Sequence, residues 1–111
     1  MKDAVSYSKY IRISPRKARL AADIIRKMSV DKAILQLRLC NLKAGRLLLK
    51  TLGSAIANAE TQQEVQRRDL MVKEVRVDAG PVLKRAKSKS RGGRVPVMKR
   101  TSHFTIIVGI Q

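Results

Sequence analysis

Apolar and polar residues alternate along three stretches of this chain and recur at helical spacing along three others. Near the start, Val5, Tyr7, Ile11 and Ile13 alternate with Ser6, Ser8, Tyr10 and Arg12, which predicts a strand with the first set facing inward. Lys9 falls on that inward set and so belongs at a sheet edge. Ser14 suits an N-cap and Pro15 the first helical position, where a missing N–H costs nothing. The helix predicted over 15–28 gathers Ala18, Ala21, Ala22, Ile25 and Met28 on one face and Arg16, Lys17, Arg19, Arg26 and Lys27 on the other. Ser29 and Asp31 then open a second helix, with Val30, Ala33, Ile34 and Leu37 inward. Asn41 suits the cap of a third, the clearest of all. In it Leu42, Gly45, Leu48, Leu49, Leu52, Ala55, Ile56 and Ala59 repeat at three and four residues. Gly45 and Gly53 each cost roughly 1 kcal/mol inside a helix, so close approach of another backbone is expected at both.

Residues 61–69 are polar and read as a loop. After them Val75, Val77 and Ala79 alternate with Glu74, Arg76 and Asp78, and Gly80-Pro81 interrupts the ladder. Residues 103–110 are apolar enough for a central strand. Between these runs lies 84–100, in which eight of seventeen residues are Lys or Arg. Folding back at Gly92-Gly93 makes it a β-hairpin whose arms each add about seven residues, or roughly 20 Å. Pro96 confines the return strand to an edge or an unpaired stretch. The order βαααββ predicts an α+β fold: three helices packed on a small three-stranded antiparallel sheet, with a long protruding basic hairpin. One domain, 1–111, is expected, with its body at about 1–82 and 98–111 and the hairpin at about 83–97.

Charge changes the picture from fold to partner. The chain carries 25 basic against 8 acidic residues, net +17, and no acid follows Asp78. A body this small needs a polyanion as counter-charge, nucleic acid first and an anionic membrane second. The 44% hydrophobic content argues against a disordered basic tail. No apolar run can span a bilayer, and the most basic stretch is the least apolar, which weighs against membrane action. With only Tyr7, Tyr10 and Phe104 as aromatics, phosphate contact and shape outrank base stacking.

Catalysis is a poor fit. His103 is the only histidine and Cys40 the only cysteine, the carboxylates are scattered, and no phosphate loop is present. No enzyme, metal site or cofactor is expected. His103 reads as a hydrogen-bonding or RNA-contacting residue at a strand end, and Cys40 as a small buried hydrophobe in a reducing compartment. The cations at 16, 17 and 19 open a helix, where N–H groups also meet phosphates, although a solvated outer face explains them nearly as well. The arm is different: Ala86, Ser88, Ser90, Gly92 and Gly93 interleave its charges, leaving a thin backbone that can thread between nucleic-acid helices. From the residues alone, a chromatin-type DNA binder stays open beside an RNA binder.

Residues 14–19 (SPRKAR), 54–60 (SAIANAE), Gly80-Pro81 and 99–103 (KRTSH), in that order, give the chain a close resemblance to the bacterial large-subunit ribosomal protein twenty-two family over nearly its whole length. The resemblance implies a non-enzymatic structural constituent of the large subunit that binds 23S rRNA and aids subunit assembly. It implies a body near the outer opening of the nascent-peptide tunnel and a hairpin lining that tunnel. The implied rRNA-binding set is Arg12, Ser14, Arg16, Lys17, Arg19, Lys84, Arg85, Lys87, Lys89, Arg91, Arg94, Lys99, Arg100, Thr101, Ser102 and His103. Lys89, Ser90, Arg91, Gly92, Gly93 and Arg94 would line the tunnel, with Lys89 and Gly93 departing from the usual hairpin signature. Neighbouring large-subunit proteins and the nascent peptide are the further partners implied, in the cytoplasm, without membrane or homo-oligomer.

Overall fold

The computed structural model describes residues 3–63, 65–88 and 92–110. Strand β1 (Ala4–Ile11) leads into helices α1 (Pro15–Ile25), α2 (Val30–Leu39) and α3 (Lys43–Gln63). A 3-10 turn (Arg67–Asp69) precedes β2 (Leu70–Ala79), the hairpin strands β3 (Leu83–Ser88) and β4 (Arg94–Lys99), and the closing strand β5 (Ser102–Ile110). The body sheet is antiparallel in the order β1-β5-β2, so the apolar last strand is central. The fold is α+β, three helices against this sheet, and β3–β4 form a separate two-stranded ribbon. With that ribbon the molecule measures 62 × 25 × 16 Å.

The helices cover one sheet face because their small and aliphatic residues share one side. Ala18, Ala21, Ala22 and Ile25 of α1 and Leu48, Leu52 and Ile56 of α3 close over Val72, Val75, Phe104, Ile106 and Val108, all essentially without solvent contact. Each larger aliphatic or aromatic side chain buried there contributes about 1.5–3 kcal/mol. Gly45 shows the expected close approach: a Cβ there would lie 3.0 Å from Cys40 Cβ and 3.3 Å from the Leu37 carbonyl oxygen. Gly53 does not, for nothing lies within 4 Å of its Cβ position.

The structure corrects several expectations. On β1 the inward residues are Ala4 and Ser6, while Tyr7 is exposed. The seam it faces on α3 is polar: Ser8 Oγ and Thr51 Oγ1 share a hydrogen bond of 2.7 Å, and Asn58 Nδ2 donates to the Val5 carbonyl at 3.1 Å. A register shift between Ser8 and Ile11 then inverts the phase, so that Ile13 is buried as expected. Lys9 is exposed on an edge strand, as its charge requires.

α1 stops at Ile25 rather than 28, because Arg26 turns to ψ 133° and Lys27 to φ +60°. The chain there pairs with β2 instead, Lys27 N–H donating to Val72 O and Val72 N–H to Met28 O. Ser14 holds the N-cap position without a side-chain cap bond. α3 begins at Lys43, leaving Leu42 outside and 42% exposed, and runs on to Gln63 through what reads as loop. Nothing in 61–63 breaks a helix, and a polar final turn carries no apolar periodicity to announce it. Ala79 is exposed at the end of β2, and Cys40, at the C-cap of α2, is only half-buried.

Candidate nucleic-acid interface

The hairpin leaves the body through a root tied by three bonds. Gly80 N–H donates to the Thr101 carbonyl at 3.0 Å, and Thr101 Oγ1 donates to the Pro81 carbonyl at 2.6 Å. Beneath them Ser102 Oγ donates to the Ile13 carbonyl at 2.7 Å, fully buried. Thr101 and Ser102 therefore lie inside, fixing the strands that carry Arg100 rather than facing outward. Beyond the root, Leu83 pairs with Lys99 and Ser88 with Arg94, and Gly92 takes φ +78° in the reversal. Pro96 pairs opposite Ala86 in a ribbon whose two strands are both edges, where its missing N–H is tolerated.

Two adjoining clefts flank the start of α1. The larger, about 850 Å³, is walled by Arg12, Lys17, Lys43, Lys99 and Arg100 over apolar Leu20, Leu42 and Met98. The smaller, about 470 Å³, is lined by Ser14, Pro15, Arg16, Arg19, Ala79 and Arg100. Ser14 and Arg100 belong to both, and among the described residues no acid lines either. The start of α1 borders both clefts, with Ser14 in each, Pro15 and Arg16 in the smaller and Lys17 in the larger, and a helix start is a place that favours anions.

Acids sit elsewhere. The ion pairs among the described residues are Arg26–Asp23, Arg67–Glu60, Lys73–Asp3 and Arg76–Glu74, none of which involves a cleft cation. The ladder places Asp3, Asp69 and Glu74 towards the end of the sheet opposite the root, where Ala4 pairs with Val108 and Leu70 with Ile110. Asp78, exposed and opposite His103 in the ladder, is the acid at the root end, and beyond it the chain carries cations without acids.

The structure brings together Arg12, Ser14, Arg16, Lys17, Arg19, Lys99 and Arg100, although up to 88 positions separate them in sequence (100 − 12). Arg19 is partly committed: Nε and Nη2 both donate to the Val77 carbonyl, at 3.2 and 3.0 Å, tying α1 to β2. His103 is half-buried and accepts the Tyr10 N–H at Nδ1, 3.0 Å away, so it serves the fold as a hydrogen-bond acceptor. Lys84, Arg85 and Lys87 stand out along the arm, exposed. Alternation puts Lys84 on one face of the ribbon and Arg85, Lys87 and Lys99 on the other. Gly92 and Gly93 are exposed and Arg94 opens β4, while Lys89, Ser90 and Arg91 lie outside the described residues.

Sequence reasoning missed Lys43, whose Nζ reaches the Arg12 carbonyl at 3.5 Å, and the apolar floor of Leu20, Leu42 and Met98. Nothing local marks them: α3 delivers Lys43 to the root only after the three helices have packed. Among the described residues no group of His, Cys, Asp or Glu is placed to hold a metal, and no helix is long and apolar enough to cross a membrane.

Comparison with known proteins agrees with this geometry. A family model described as ribosomal protein L22p/L17e matches residues 6–109. The chain is 68% identical over 108 residues to the large ribosomal subunit protein uL22 of Protochlamydia amoebophila (strain UWE25), covering 97% of each chain. It is 62% identical over 102 residues to the uL22 of Chlamydia pneumoniae and 64% identical to that of Chlamydia abortus (strain DSM 27085 / S26/3), covering 92% of each chain in both cases.

Proposed function

Because the chain belongs to the ribosomal protein L22p/L17e family, we propose that it clamps 23S rRNA at the root of its hairpin and threads the arm between RNA segments. It is a non-enzymatic protein of the large ribosomal subunit. The observation that carries the RNA reading is the convergence of Arg12, Arg16, Lys17, Lys43, Lys99 and Arg100 on two adjoining clefts at a helix start, with no acid among the described lining residues. Such a surface binds through phosphates, with counterion release supplying most of the affinity.

The arm extends the same logic. Cations on both of its faces suit a strand pair surrounded by RNA, whereas a ribbon lying on one surface would charge only one face. On this reading the clamp joins rRNA segments during assembly and the body sits among neighbouring large-subunit proteins. Residues 89–94 line the peptide tunnel, where the nascent chain passes them. The first test is sedimentation of a cell lysate in moderate and high salt, with and without ribonuclease. Co-migration with large subunits that survives high salt and disappears on RNA digestion is expected; a protein left at the top of the gradient, or following DNA, overturns the reading. A variant lacking 83–97 then separates body from arm, and it is expected to assemble with lower occupancy.

A further inference from the structure

Tyr10 is 65% exposed, and an unusual backbone holds it there. It lies in the irregularity between Ser8 and Ile11 with φ +59°, a conformation in which a side chain is strained and glycine is at ease. The other non-glycine residue at positive φ among the described residues, Lys27, sits just past α1, where a left-handed residue commonly ends a helix. Tyr10 ends no helix. A glycine would invert the strand phase equally well, so the fold has no need of the ring.

Two contacts hold the residue in place. Its N–H donates to His103 Nδ1 at 3.0 Å, and its ring meets the imidazole edge-on, centroids 4.9 Å apart at 87°. His103 is backed in turn by Gly80, where a Cβ would come within 3.1 Å of the imidazole and 2.5 Å of Thr101 Oγ1. Root, imidazole and bulge are thus one packed assembly, and its outward part is a phenol ring. Lys9 and Arg12, both exposed, flank that ring in the chain.

We propose that Tyr10, buttressed by His103, is a stacking platform for one unpaired base of RNA, with phosphates of the same strand on Lys9 and Arg12. The proposal rests on the RNA-binding reading above and adds recognition of a base to an interface otherwise made of phosphate contacts. Bases inside an A-form duplex are stacked on one another and cannot reach such a ring, whereas a bulged or looped base can. The platform therefore reads RNA for an unpaired nucleotide.

The chain has two tyrosines and no tryptophan, so in a Tyr7→Phe background the intrinsic emission reports Tyr10 alone. The probes are a short RNA duplex carrying one unpaired adenosine and the same duplex fully paired. The bulged duplex is expected to quench the emission by at least about half and to bind about tenfold more tightly than the paired one, as one base–aromatic stack allows. Tyr10→Gly, which removes the ring and relieves the strain, is expected to fold with an unchanged or higher thermal midpoint and to lose that preference. Tyr10→Asn, which also tolerates positive φ, repeats the test with a side chain present. Equal affinity of the parent for the two duplexes, or a preference that survives both substitutions, overturns the platform and leaves the phosphate clamp standing. Failure to bind either duplex at low salt overturns both.

Discussion

The body sheet and the arm are built from similar alternating strands, yet only one of them has anything to face. On β5, Phe104, Ile106 and Val108 are fully buried against the helices. On β3, Lys84, Arg85, Ala86 and Lys87 all stand in solvent, and Leu83 is half-buried at the root. Alternation is therefore only half of a strand's specification. The other half is a covering layer, which the body supplies from its own helices and the arm must find in a partner. The excess charge follows the same division: the ion pairs among the described residues lie on the body, and no acid follows Asp78 into the arm.

The sharpest way to break this comparison is to remove the centre of the core. Phe104→Ala is expected to destabilise the chain by about 3–5 kcal/mol, measured by denaturant unfolding. Replacing 83–97 by a short Gly-Ser link is expected to change the same quantity by less than about 1 kcal/mol, since it removes almost no buried surface. A loss as large as that of Phe104→Ala would mean that the arm carries part of the core. Next in size is the clamp. The triple substitution Lys17→Ala, Lys99→Ala and Arg100→Ala is expected to weaken rRNA binding by roughly 10- to 100-fold and to flatten the salt slope by about two to three units, with little change in stability.

The root itself gives a third effect. Ser102→Ala leaves the buried Ile13 carbonyl without its donor and is expected to cost about 1–3 kcal/mol by thermal unfolding. Hydrogen exchange sharpens the comparison without mutation. Amides of Ile106 and Val108 are expected to exchange only through near-global unfolding, and those of Arg85 and Lys87 in the free protein orders of magnitude faster. RNA is expected to slow the second pair and leave the first unchanged. Smallest of all, Lys73→Ala breaks the Lys73–Asp3 pair, whose side chains are 40% and 39% exposed, for less than about 0.5 kcal/mol.

Much of this architecture was legible in the residue pattern. The buried faces of all three helices, the central place of the last strand, the break at Gly80-Pro81 and the acid-free arm all follow from local spacing and composition. The misreadings have a common cause. The alternation on β1 points Val5 and Tyr7 inward, whereas Ala4 and Ser6 are buried, because its partner on α3 is polar, a matter of Thr51 and Asn58 some fifty positions away. Gly45 and Gly53 read alike in the helical pattern, yet a close neighbour faces the first and none the second, because only packing distinguishes the two.

The candidate site divides along the same line. That Arg16, Lys17, Lys84, Arg85 and Lys87 face outward could be read from the chain, because charge on a helix face or an uncovered ribbon has nowhere else to go. That Thr101 and Ser102 turn inward, that Lys43 joins Arg12, and that Tyr10 leans on His103 could not, since each rests on a bond across 20 to 93 positions. By itself the sequence determined the elements, their apolar faces and the sign and density of the charge, because these depend on neighbours within a few residues. Tertiary structure alone decided which cations share a cleft and which polar groups are spent inside. Those outcomes depend on which distant backbones the core brings together.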